Sequence, residues 1–386
     1  MEIITWHISI KNILKDNRIL FCKEFGDSIR DFSYETINKV LSCWSKDLWF
    51  ATFKCNDCWE SKHIPFTCKS RFCNSCWKPQ SDLRFNKLIS RWPKWLKYYH
   101  LAFTIPEELR PFFKKHRSAL NLLPKVASQS ILYFFESKHK SIPWILSVIH
   151  SFGAKLNWNP HVHLIITAWW IQCDWKFKHI NFIPYQLILP SWKKYLLKSL
   201  KQRCYKNIQN PSEDIKLLNF LYQQKNDLDK EKSRYIWFSK KANTFHIVLN
   251  YIWRYLKRPT ISQSRILHYD WKFITFSYKD KYDNQTKTIT TSSLEFVWSL
   301  LQHLPNKFFH MIYYHWIFAN RCKTNYLKNI NFQLNNPLHI NNAPTKFYQR
   351  TMLFTWKNPL ICSCWWFFSL YSIFTPWYPI KYFDSS

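Results

Sequence analysis

Four of the twelve cysteines form two pairs, Cys55-x-x-Cys58 and Cys73-x-x-Cys76, with fourteen residues between them and Cys43 and Cys68 close by. Each Cys-x-x-Cys closes a tight knuckle that offers two thiolates to one tetrahedral ion, and two knuckles complete a four-cysteine zinc site. The ion replaces the apolar core that so short a segment cannot build. The expected ligands of a structural Zn²⁺ are therefore Cys55, Cys58, Cys73 and Cys76, with Cys43 and Cys68 as alternative ligands or part of a second site. Lys69 and Arg71 lie between the ligand pairs, where a zinc module can set them against phosphate. Cys362-x-Cys364 has no evident sequence partner and is assigned no function.

Two further constellations could do chemistry. In Asn159-Pro160-His161-Val162-His163-Leu164-Ile165-Ile166 a proline precedes a strand-like run. Residues two apart on a strand share a face, so His161 and His163 converge on one point that can hold a divalent metal, while Val162, Leu164 and Ile166 face a core. In Tyr251-Ile252-Trp253-Arg254-Tyr255 a spacing of four puts both phenols on one helix face, and Arg254, Lys257 and Arg258 surround them. Nearby positive charge favours an ionised phenol and a bound phosphate alike, which suits DNA cleavage by phenolate attack on phosphorus. Taken alone, the histidines also fit two incidental strand residues, and the tyrosines an aromatic pair in a core.

The rest of the chain must position these groups. Its 386 residues with 47% hydrophobic content suffice for two or three domains with a real core. No run approaches the roughly 18 apolar residues that cross a bilayer, and Met1–Asn12 lacks a signal pattern, so a cytoplasmic, nucleoid-associated protein without a membrane partner is expected. A net charge of +32, interleaved with aromatic residues, calls for a polyanion, and DNA is the natural one.

Residues 1–42 read as a helical lead-in and 43–96 as a cysteine segment followed by a basic amphipathic helix over Asp82–Leu96. Beyond these, Tyr98–Thr104 and His161–Ala168 alternate like strands. Helices are expected at Pro106–Phe113, Ser118–Ser137, Ser191–Gln202, Phe245–Leu256 and Ser293–Leu301, with hairpins around Asp174-Trp175 and over Ile266–Tyr278. Asn207–Lys232 reads as an inserted helical arm, and 331–386 as a tail without a clear period. The expected class is α+β.

Composition carries one anomaly, twenty-two tryptophans against two glycines. A chain this long at about 7% glycine should hold roughly 27 of them. The tryptophans stand at turn positions. Trp271 follows Asp270 between two strand-like runs, Trp175 follows Asp174, Trp59 and Trp77 follow knuckle cysteines, and Trp169-Trp170 and Trp365-Trp366 read as Gly-Gly punctuation. Many are read here as UGA codons that the source organism translates as glycine. Trp158, Trp192 and Trp237 sit in aromatic or apolar contexts and are read as true tryptophans. If tryptophan truly stood at all the others, overpacking at about 1–3 kcal/mol per site would exceed a usual stability of about 5–15 kcal/mol.

In this order, Cys-x-x-Cys, Cys68-Lys69-Ser70-Arg71-Phe72-Cys73-x-x-Cys76, Tyr98-Tyr99-His100-Leu101-Ala102-Phe103-Thr104-Ile105-Pro106, Asn159-Pro160-His161-Val162-His163 and Tyr251-x-x-x-Tyr255 resemble the zinc-binding, two-tyrosine HUH transposases of rolling-circle bacterial insertion sequences. The likeness spans about residues 40–330 and includes Phe276–Asp280, Leu294–Phe296 and His303–Trp316. It implies an HUH-type antiparallel sheet with flanking helices over 97–330, preceded by a small zinc-binding domain. It also implies Mg²⁺ or Mn²⁺ on His161 and His163, with His150 as the candidate third ligand. Tyr251 or Tyr255 would attack single-stranded transposon ends and target DNA through a 5′-phosphotyrosine. A rolling-circle replication initiator or relaxase, or a non-catalytic zinc-dependent DNA-binding protein, are the alternatives.

Overall fold

The computed structural model describes residues 8–43, 45, 50–68, 70, 72–73, 76, 96–172, 177–179, 183, 185–207, 211–223, 236–238, 243–244, 247–248, 260–280, 283–315, 349, 352, 358–375 and 378–382. In chain order, helices α1 (Ile10–Phe25) and α2 (Asp31–Leu41) precede strands β1 (Phe50–Cys55), β2 (Ser61–Pro65) and β3 (Lys97–Thr104). Helices α3 (Arg110–Lys115) and α4 (Leu122–His139) lead to β4 (Ser141–Ile142), β5 (Ile145–Phe152), β6 (Trp158–Thr167), β7 (Trp169–Gln172) and β8 (Phe177–His179). After α5 (Tyr185–Asn207) and α6 (Ser212–Gln223) come β9 (Ile236–Phe238), β10 (Asn243–Thr244), β11 (Ile266–Tyr269), β12 (Phe273–Lys279) and β13 (Thr286–Ser292). Helix α7 (Ser293–Gln302) and strands β14 (Ile312–His315), β15 (Phe368–Thr375) and β16 (Tyr378–Tyr382) complete the series.

These elements form an α+β protein with antiparallel sheets, divided into two compact units. The first unit draws on Met1–Arg91, Lys257–Leu301 and His339–Ser386, the second on Trp92–Leu256 and Gln302–Leu338. The segment 97–330, expected as one domain, is thus shared between them. Of the expected helices, Asp82–Leu96 lies outside the described residues except for Leu96, and Phe245–Leu256 except for Ile247 and Val248. The turn at Asp174-Trp175 also lies outside them, although β7 and β8 pair on either side of it. No described helix is long and apolar enough to cross a membrane.

In the first unit, β15 pairs with β1 and β16 with β15, giving the order β16-β15-β1-β2. The tail that shows no period in the sequence therefore adds two strands to the cysteine segment. A second sheet, β11-β12-β13, is joined to α1 through buried Asn17. Its amide donates to Ile13 O at 2.9 Å and to the Tyr269 hydroxyl at 3.0 Å, and its carbonyl oxygen accepts from Ser293 Oγ at 2.6 Å. Every polar atom of that buried amide group is thereby satisfied, as burial demands.

In the second unit β6 runs between β3 and β5, with β14 beyond β5 and β9 and β10 against β3. Val162, Leu164 and Ile166 of β6, Leu101 and Phe103 of β3 and Ile145 and Ile149 of β5 all enter one buried core with α4 and α5. The two-residue period puts the intervening residues, the histidines among them, on the opposite face. Leu218 and Leu221 of α6 are buried in the same core, so this part of the expected helical arm is packed against the domain. Trp192 is fully buried edge-on to Phe103, and Trp158 donates Nε1–H to Arg110 O at 3.1 Å while stacking on His303. Both match their reading as true tryptophans.

The turn tryptophans behave differently. Trp59, Trp271 and Trp365 have φ of 58°, 75° and 71°, in the left-handed region that a Cβ disfavours and glycine accepts freely. Their side chains are 71%, 68% and 85% exposed. Strain at these three sites is therefore in the backbone, and not the core overpacking expected from the sequence. Trp169 and Trp170 depart from the reading as Gly-Gly punctuation, because they open strand β7. Replacing Trp271 with glycine should raise stability by about 1 kcal/mol, or about 2–4 °C in melting temperature, since the left-handed cost of about 1–2 kcal/mol exceeds the extra chain entropy of glycine. Trp192→Ala should instead lose about 3–5 kcal/mol. Equal destabilisation by both substitutions in a thermal melt would remove the glycine reading at Trp271.

Candidate metal centres and active site

The cysteines gather into two groups of four. Cys43, Cys68, Cys73 and Cys76 form one, and Cys55, Cys58, Cys362 and Cys364 the other, with the sulfurs of each group within 4.8 Å of one another. The expected set Cys55, Cys58, Cys73 and Cys76 is thus split. The reason is topological: β1 and β2 close a hairpin that carries the first knuckle to the end where β15 enters, while the second knuckle folds back on the end of α2. Sequence reading missed Cys362 and Cys364. The available signal was a tryptophan directly after the second cysteine of each pair, at Trp59 and Trp365 alike.

Four thiolates at 2.3 Å from one zinc stand about 3.8 Å apart. In the first group Cys43 and Cys76 Sγ are 3.1 Å apart, Cys68 and Cys76 3.6 Å, and Cys73 and Cys43 3.6 Å, a donor set and size that fit one tetrahedral ion. Backbone N–H groups of Cys68 and Ser70 point at the sulfurs of Cys43 and Cys68 at 3.4 and 3.5 Å. Hydrogen bonds from Cys68 and Cys76 hold the Cys73 thiol well below its usual range. Lys11 Nζ donates to Cys43 O at 2.8 Å and ties α1 to the cluster. Lys69 and Arg71 lie outside the described residues.

On the second unit's sheet, His150, His161 and His163 each present a ring nitrogen within 4.8 Å of the others. Register explains the meeting: His150 of β5 lies directly opposite His161 of β6. The register shift that follows falls around Pro160, which cannot donate to a ladder and is tolerated at a bulge. In the turn before β6 a Cβ at Gly153 would meet Asn157 Oδ1, so a larger residue there would have to push that side chain aside. His161 Nδ1–H donates to Asn159 O at 2.7 Å, which sets the tautomer with the ring's lone pair on Nε2. His163 Nδ1 shares a 2.9 Å hydrogen bond with His100 Nε2. Burial, then the neighbouring His161, push His100 down to about 3, and it stays neutral. Such partners fix ring orientation and tautomer at metal sites. His150 and His163 are 1% and 5% exposed, and half-buried His161 is the side that reaches solvent. Three imidazoles so arranged fit a divalent ion with open positions for other ligands.

Other motif histidines serve the structure. His303 Nε2–H donates to Leu156 O at 2.9 Å and its Nδ1 accepts from Ser151 Oγ at 3.3 Å, and burial lowers it to about 4. His315 shares a 2.7 Å hydrogen bond with Ser147 Oγ. Tyr251, Tyr255, Arg254, Lys257 and Arg258 lie outside the described residues.

Comparison with known proteins decides the family. Residues 13–105 match the family model "Transposase zinc-binding domain", and residues 145–325 the model "Putative transposase". Both matched regions are transposase families, and between them they take in most of the chain. "Transposase for insertion sequence element IS801" of Pseudomonas savastanoi pv. phaseolicola is 29% identical over 325 residues, covering 83% of this chain and 78% of that protein. "Putative transposase y4qJ" of Sinorhizobium fredii is 24% identical over 285 residues, 70% of each chain. No solved structure matches. The first matched region of the transposase holds Cys43 through Cys76, and the second holds His150, His161, His163 and both tyrosines. Cys362 and Cys364 fall outside both. A transposase works on DNA, which accounts for the charge of +32.

Proposed function

We propose that this transposase nicks and rejoins single-stranded DNA through 5′-phosphotyrosine intermediates in rolling-circle transposition. The observation that carries the reading is the face shared by His150, His161 and His163, with the tautomer of His161 set by Asn159 and the ring of His163 held by His100. The chemistry that a Mg²⁺ or Mn²⁺ ion supplies when held by these three residues is polarisation of the scissile phosphate. Tyr251 or Tyr255 attacks phosphorus: the tyrosine O–P bond forms, the P–O3′ bond breaks, and the phenolic proton ends on the released 3′-hydroxyl. The second tyrosine then cleaves another strand, so that a 3′-hydroxyl from one strand can be joined to the phosphate of the other. Arg254, Lys257 and Arg258 hold phosphates beside the phenols. Cys43, Cys68, Cys73 and Cys76 hold the structural zinc, and Lys69 and Arg71 meet the DNA backbone next to it.

The test uses protein with glycine at positions 59, 271 and 365, a labelled single strand bearing the element's end, and Mn²⁺. The expected product is a covalent adduct at the 5′ end of the cut, lost in the double variant Tyr251→Phe, Tyr255→Phe. No adduct, or one that survives both substitutions, would leave a non-catalytic zinc-dependent DNA-binding protein as the better account.

A further inference from the structure

We infer that Cys55, Cys58, Cys362 and Cys364 form a second structural zinc site, which clips the C-terminal strands to the first cysteine hairpin. Two knuckles of the same design face each other here. In the first, Cys55 N donates to Glu60 O at 2.9 Å across a loop whose residue after the second cysteine, Trp59, is left-handed. In the second, Cys362 N donates to Trp366 O at 2.8 Å, and the residue after the second cysteine, Trp365, is left-handed as well. Backbone N–H groups of Asp57 and Cys58 point at the Cys55 sulfur, that of Glu60 at Cys58 and that of Cys364 at Cys362, and the four sulfurs lie within 4.8 Å of one another.

The sulfurs cross-pair between the loops: Cys55 and Cys364 Sγ are 3.4 Å apart, Cys58 and Cys362 3.6 Å. Both values lie close to the edge of about 3.8 Å expected of a zinc tetrathiolate. The loops are also fixed to each other without metal. Asn56 N donates to Phe367 O at 3.3 Å, Ser369 Oγ to Asn56 Oδ1 at 2.6 Å, and Lys62 Nζ to Pro359 O at 3.1 Å. Among the described residues the apolar cluster around the site is small: Cys55, Cys362 and Phe368, with Phe53 and Cys364 beside it. A metal adds its own cohesion to these hydrogen bonds and to the β1–β15 pairing, and glycine at positions 59 and 365 would let each loop take its turn without strain. Binding releases the thiol protons to solvent as four thiolates take the ion, including the proton that Cys362 Sγ shares with Glu60 Oε2 at 2.8 Å.

Zinc content of the purified full chain separates the outcomes. Two zinc ions per chain are expected, falling to one in Cys362→Ser, Cys364→Ser with the Cys43 cluster intact. A single zinc in the unaltered chain, or two retained in that double variant, would overturn the site. Should the double variant fail to fold, Cys364→His provides the second measurement. With cobalt in place of zinc it should keep two ions and move the visible absorption of one of them away from the four-sulfur pattern, and an unmoved spectrum would refute the assignment.

Discussion

Replacing His161 or His163 with alanine is expected to slow single-strand cleavage by roughly a thousandfold while leaving zinc content, and for the half-buried His161 also melting behaviour, close to those of the parent. The magnitude follows from the several kcal/mol that a metal contributes to stabilising transition-state charge, at tenfold per 1.36 kcal/mol. The selectivity follows from the fold, because these side chains occupy the face of β6 opposite the core built by Val162, Leu164 and Ile166. His100→Gln gives a graded comparison. His100 orients His163 through its 2.9 Å hydrogen bond, and loss of such a partner typically weakens metal affinity by about 10–100-fold. Higher Mn²⁺ should therefore rescue His100→Gln, and should not rescue the two alanine variants. Cleavage within tenfold of the parent in His161→Ala would sink the proposed metal role.

Removing zinc from the Cys43, Cys68, Cys73 and Cys76 cluster should unfold the first unit and spare the core of the second. Structural zinc contributes about 10–16 kcal/mol in small modules, as much as the whole stability of about 5–15 kcal/mol of an ordinary domain. Around this cluster the chain is tied together by sulfur contacts, a few backbone N–H groups and the Lys11 anchor. The second unit has its own apolar core, from Leu101 and Phe103 through Trp192 to Leu221. Hydrogen exchange on Cys73→Ser, or on protein treated with a strong chelator, reads both units at once. The amides of α1, α2 and β1 should lose protection and those of β3, β5 and β6 should keep it. Unchanged exchange in α2 and β1 after metal removal would refute the structural role.

How much the sequence reveals depends on the range of the interaction that decides each feature. The strand period puts His161 and His163 on one face and Val162, Leu164 and Ile166 on the other, because side-chain direction in a strand is fixed by its immediate backbone. A turn's sign of φ is local too, and Trp59, Trp271 and Trp365 stand left-handed where their neighbours ask for glycine. Thiolate pairs announce zinc chemistry for the same reason, since two ligands three residues apart already form a knuckle.

What remained for the tertiary structure was partnership. Four sulfurs share an ion only if strands bring them together, and pairing of β1 with β15 gives Cys55 and Cys58 to Cys362 and Cys364, while the end of α2 gives Cys43 to Cys73 and Cys76. His150 joins the histidine pair through strand register, and a slip of one residue would send it to the core face. Composition, chemistry and local backbone were written in the sequence. Which residues meet across hundreds of positions was decided by sheet pairing, because hydrogen-bonded register, and not spacing along the chain, sets the distances between them.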